Sequence, residues 1–112
     1  MRTTATSRYP TRRARRITFW LGARDHTGHG SLLVQLLQRA RRSNLSGASV
    51  FEARMGYGAS RRVHQTHLLS GDAPLAVVII DHPDRIDAFL LDIADLLQDV
   101  LVTIDDIDVI EL

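Results

Sequence analysis

Residues 75–80, Leu75-Ala76-Val77-Val78-Ile79-Ile80, are apolar at every position, and no other stretch limits the possible folds so strongly. The run is rich in β-branched residues and is bounded by Pro74 and Asp81, so it reads as a strand. Successive side chains of a strand point to opposite faces, which puts Leu75, Val77 and Ile79 on one side and Ala76, Val78 and Ile80 on the other. Both sides then need cover from water. Six residues are too few to cross a bilayer. A chain of 112 residues builds one core, so the question is what covers each face.

The remaining pattern supplies the partners. Ile17-Thr18-Phe19-Trp20-Leu21 alternates apolar and semi-polar residues and predicts a first strand. A glycine-rich loop over residues 22–30 leads to Ser31, a good N-cap. Leu32, Leu33, Leu36, Leu37 and Ala40 follow at helical spacing, and Arg39, Arg41 and Arg42 suit the negative end of that helix. Residues 48–54 predict a second strand. Pro83 and Asp84 open a second helix, whose stripe is Ile86, Phe89, Leu90, Ile93, Leu96, Leu97 and Val100. A last strand is expected over about residues 106–111.

The order β-α-β-β-α-β predicts an α+β, ferredoxin-like sandwich with both helices on one sheet face. The second apolar face of the central strand then calls for another copy of the chain, a homo-oligomer built by sheet packing. Between the second and third strands lie residues 56–74, far more than a hairpin needs, so this stretch is expected to be a functional loop or a pair of extended arms.

Charge is segregated along the chain. All 14 basic residues are arginines, and 13 of them lie in residues 1–62, where the only acids are Asp25 and Glu52. Residues 63–112 hold 11 acids and the single Arg85. Residues 1–16 carry six arginines and no acid, and they show no apolar periodicity. They are expected to be a disordered extension ahead of a domain at residues 17–112. The apolar stretch after them is short and interrupted, which argues against a signal peptide. Arginine-rich arms can bind phosphate backbones, but nucleic acid is not among the expected partners.

The absence of cysteine excludes disulfides, thiolate metal sites and thiol catalysis, and is compatible with a reducing cytoplasm. Among candidate functional residues, Gly56, Gly58, Ser60, Arg61, Arg62 and His64 combine backbone freedom, a hydroxyl, two cations and an imidazole. Such a set suits a small anion. It has neither P-loop nor Rossmann spacing. His26, His29, His64 and His67 form no recognised ligand set, so no metal is expected. The acids from Asp84 to Asp108 read as a solvated face without an EF-hand pattern. Trp20 is expected in the core or an interface, and Tyr57, between two glycines, is expected to be exposed. No serine sits in a nucleophile elbow.

From the first strand to the C-terminus the chain resembles the uncharacterised PII-like family, relatives of the nitrogen-regulatory PII signal proteins. The resemblance is carried by Trp20-Leu21-Gly22, Leu45-Ser46-Gly47-Ala48-Ser49-Val50 and Gly56-Tyr57-Gly58-Ala59-Ser60 with Val63-His64. It continues in Pro74 to Asp81, in Ile86 to Leu90 and in Leu101-Val102-Thr103-Ile104. It implies a homotrimer of ferredoxin-like subunits, with a small effector such as an adenine nucleotide in clefts between them. It also implies a target protein touched by the long loop, a membrane transport protein among the candidates. The chain departs from the family at Gly30-Ser31-Leu32, where members tend to have Gly-Lys-Pro-Leu, and at Glu52-Ala53, where they often place Arg-Gly. It has no lysine at all. The expected function is that of a non-enzymatic regulator without a cofactor. The alternative is a small oligomeric enzyme using His64 as general base; no carboxylate or nucleophile stands beside it in sequence, though a fold can bring Asp81 close.

Overall fold

A strand longer than the sequence suggests organises the sheet. The computed structural model describes residues 8–53, 55–57, 63–65 and 74–112, the two internal triplets as backbone. Strand β1 is Thr11–Gly22, followed by the short β2 (His26–Thr27) and β3 (Gly30–Ser31), then helix α1 (Leu32–Arg42). Strand β4 is Ser49–Glu52, β5 is Met55–Tyr57, β6 is Val63–Gln65 and β7 is Pro74–Asp81. Helix α2 (Pro83–Asp92), a 3-10 turn (Ala94–Leu96) and β8 (Leu101–Ile110) complete the described chain.

The main sheet runs in the order β4-β7-β1-β8 with all neighbours antiparallel. This is the ferredoxin-like arrangement expected from the element order. Ile17, Phe19 and Leu21 of β1 and Leu75, Val77 and Ile79 of β7 form one buried face. They pack against Leu32, Leu36 and Ala40 of α1 and against Ile86, Phe89, Ile93 and Leu96. Phe19 meets Phe89 edge to face, with ring centroids 6.4 Å apart at 88°, a geometry that adds about 0.5–1.5 kcal/mol beyond burial.

Helix α1 starts as its cap predicts, with Ser31 Oγ accepting from the Val34 amide at 3.3 Å. Gln35 Nε2 ties this start to the small β2–β3 hairpin through Thr27 Oγ1 and the Gly30 carbonyl. Gly30, at φ 119°, adopts a backbone that side chains rarely take. The apolar stripe after Pro83 is buried as expected, but not as one helix. The helix ends at Asp92, and Asp99 takes a left-handed φ of 62°. Asp92, Asp95 and Asp99 would otherwise crowd the negative end of a continued helix, whose last turn carries no basic residue of its own.

Two strand boundaries differ from expectation for one reason. Residues 11–16, placed in a disordered extension, are the first half of β1, and β8 begins at Leu101 rather than 106. The two strands pair from Thr11↔Ile110 to Trp20↔Leu101. The arginines of one half-strand thereby lie opposite the acids of the other. Among the described residues, no helix is long and apolar enough to cross a membrane.

Candidate functional site

The face of the sheet away from the helices carries the second apolar set. Thr18 and Trp20 of β1, Ala76, Val78 and Ile80 of β7, and Phe51 of β4 line an open concavity of about 1190 Å³. Trp20 is 48% exposed and Phe51 59% exposed, so Trp20 is not a core residue. Its indole N–H donates to Thr103 Oγ1 at 3.1 Å, which fixes the ring across β1 and β8. Arg16 and Asp105, paired at 2.6 Å, border the concavity on one side. Ser46, Gly47, Ala48 and Ser49 border it on another.

That second rim is held by one buried carboxylate. Asp81 ends β7 and is 3% exposed. Its Oδ2 accepts from the Ser46 amide at 2.8 Å and from Ser46 Oγ at 3.1 Å, and its Oδ1 accepts from the His82 amide at 2.7 Å. Arg85 Nε lies 3.7 Å from Oδ1, and Arg85 Nη2 also donates to the Asn44 carbonyl. Burial by itself pushes the Asp81 carboxyl up. The bonds from Ser46 and His82 and the charge of Arg85 outweigh it and hold the group below the ordinary carboxylate value. Asp81 sits at the end of β7 opposite Pro74, roughly 23 Å along the strand from the base of the residue 54–73 segment. Three of the roughly four lone-pair sites of its carboxylate are taken by this network and the group is buried, which leaves it ill-suited to assist His64 as a base.

The arginines of β1 form a second charged system. Arg15 donates to Asp106 Oδ1 and to Asp87 Oδ1 of α2, each at 2.7 Å. Arg13 lies 3.6 Å from Asp108, and Arg12 lies 3.9 Å from Glu111. The hydrogen bonds that Arg15 donates to Asp106, then to Asp87, raise its guanidinium above the ordinary value, and the bond Arg16 donates to Asp105 does the same for Arg16. On the helix side, Arg39 bonds Asp95 at 3.2 Å and holds that carboxyl below its ordinary value. Asp87, Asp95, Asp105, Asp106 and Asp108 are therefore paired groups, not a merely solvated face. The sequence shows both charge blocks, but only the β1–β8 register brings them together.

Of the expected site residues, Gly56 and His64 are opposite each other in the antiparallel β5–β6 hairpin. Gly58, Ser60, Arg61 and Arg62 lie outside the described residues, as does the side chain of Tyr57. The hairpin belongs to the segment expected to be a loop or extended arms, whose base is tied by the Ala53 amide donating to the Pro74 carbonyl at 2.8 Å. His26 Nδ1 is bonded with the Arg24 carbonyl at 3.0 Å. Among the described residues, no three His, Asp or Glu side chains are grouped to hold a metal. In sequence, Ser46 stands out only as a member of a family segment and Asp81 as a member of another and a conceivable partner of His64, with no signal that the two meet.

The family model for DUF190, described as an uncharacterised ACR, matches residues 14–109. The chain belongs to the DUF190 family. A UPF0166 protein of Aquifex aeolicus is 38% identical over 79 residues, covering 69% of this chain and 74% of that one. Among solved structures, the DUF190 chain is similar to CPII of Thiomonas intermedia K12, a nitrogen regulatory PII-like protein bound to ADP, AMP and bicarbonate. The TM-score is 0.71 at 14% identity, over 92% of this chain and 93% of CPII. A PII-like signalling protein of Thermus thermophilus gives a TM-score of 0.68 at 12% identity, over 89% and 92% of the two chains. The fold is thus that of PII-like proteins, and the match to the family model begins at Ala14, inside the strand that the arginines build.

Proposed function

We propose that this DUF190 chain is a PII-like regulatory protein that binds a small anionic effector, an adenine nucleotide first among the candidates, and passes its occupancy to a target protein. The observation that carries the reading is the fold shared along nearly its whole length with CPII, whose structure holds ADP, AMP and bicarbonate. The chain works as a homotrimer. Its effector sits in clefts between subunits, formed by the open sheet face and its rims together with Gly56, Gly58, Ser60, Arg61, Arg62 and His64. Glycine amides and arginine forks neutralise and orient the anion, and His64 adds a titratable hydrogen bond. Effector binding shifts the population of states in which the long connection between β4 and β7 meets the target, and so changes affinity for it. A membrane transport protein is the leading class of target.

The test is a thermal-shift panel with ADP, AMP, ATP and bicarbonate. A ligand that binds only the folded protein stabilises it by about 2.7 kcal/mol at a hundredfold excess over Kd. The expected result is a rise in Tm with an adenine nucleotide that is lost in Arg61→Ala/Arg62→Ala. No rise with any of the four would remove the effector reading. A rise that survives the double substitution would remove the arginines from the site.

A further inference from the structure

We infer that Asp81 is a positioning residue for the effector cleft, acting through the backbone of residues 44–48 and not by touching the ligand. The cleft part of this inference rests on the effector reading above; the positioning part stands on geometry alone. The rim is anchored at either end, where Leu45 packs against the core and its amide reaches the Ala40 carbonyl at 3.3 Å, and where Ser49 pairs with Val78. Residues 46–49 are all exposed, and a side chain built at Gly47 would meet nothing within 4 Å. Between those anchors packing does not fix residues 46–48, and Asp81 holds them through Ser46. Its carboxylate takes both the amide and the hydroxyl of Ser46. Arg85 braces the same turn from α2 by bonding the carbonyl of Asn44, which sits at a left-handed φ of 57°. The same carboxylate takes the His82 amide at the start of α2, whose N-cap side chain makes no capping bond. One buried group thus locks the rim of the concavity to the junction of β7 and α2. The rim in turn leads directly into β4, which borders the residue 54–73 segment.

The experiment compares the full chain with Asp81→Asn and with Ile93→Ala, a core substitution that removes none of the bonds holding Ser46. Amide hydrogen exchange is read at residues 46–48, and ADP affinity is read by titration. An asparagine cannot accept at both positions, so exchange at residues 46–48 is expected to accelerate at least about tenfold. ADP affinity is expected to fall by about tenfold. Ile93→Ala lowers Tm but leaves both readings at the rim unchanged. Arg85→Ala, at an exposed position, is expected to give a smaller acceleration in the same direction, and it decides the matter if Asp81→Asn does not fold. Unchanged exchange at residues 46–48 in both Asp81→Asn and Arg85→Ala overturns the positioning role. An equal loss of ADP affinity in Asp81→Asn and Ile93→Ala overturns its link to the cleft. If the unsubstituted protein takes up no ADP, the effector reading falls, and exchange at residues 46–48 alone decides the positioning role.

Discussion

A buried carboxylate normally resists ionisation, and Asp81 is held ionised by donors that the fold supplies from two directions. Its folded-state pKa lies below the ordinary value, so its contribution to stability is present above the unfolded-state pKa. That contribution is lost as pH falls through the folded value. Asp95 has the same sign through Arg39. Thermal midpoints measured from neutral pH into the acid range should therefore fall, and Asp81→Asn should flatten that fall while lowering the neutral-pH value. The loss at neutral pH is expected to be about 1–3 kcal/mol, the cost of leaving buried donors unmet. An acid limb identical to that of the unsubstituted protein would show that Asp81 does not govern it. None of this was legible beforehand. Asp81 follows an apolar run and precedes His82-Pro83, which suggests a helix start, but its partner Ser46 is 35 residues away. Ser31 shows the contrast, because a cap that bonds three residues ahead is readable from local spacing alone.

Elements whose periodicity is local were readable, and elements defined by their partners were not. The stripes of α1 and α2 and the two-sided run of β7 announce their burial in their own residues. The first half of β1 does not, since Arg12, Arg13, Arg15 and Arg16 look like a solvated arm until β8 is laid beside them. Opposite charges on facing strands stabilise the pair, whereas either block alone would repel itself. Two truncations separate these views. Removing residues 1–9 should leave Tm nearly unchanged, because β1 starts at Thr11. Removing residues 1–16 should unfold or strongly destabilise the chain, because it strips β8 of the partners for Asp105, Asp106 and Asp108. In the intact protein, raising salt to about 1 M should lower Tm modestly by screening these exposed pairs. Equal stability of the two truncations would return residues 11–16 to the status of an arm.

At the scale of the whole molecule, the two-sided apolar strand already posed the question that the open face leaves standing. Helices cover Leu75, Val77 and Ile79, while Ala76, Val78 and Ile80 share the other face with Trp20 and Phe51. The sequence could show that a second cover is needed because the alternation of a strand is strict. It could not show the concavity, which depends on how the residue 46–49 rim and the Arg16–Asp105 pair stand around that face. In the proposed assembly, identical chains close over this face and hold an adenine nucleotide between them. Native mass spectrometry of the full chain with and without ADP, beside Val78→Asp, tests it most directly. The expected spectrum is a trimer that gains ADP, with Val78→Asp reduced to monomers that take up none. A monomer that ignores ADP at every protein concentration would rule out both the assembly and the effector.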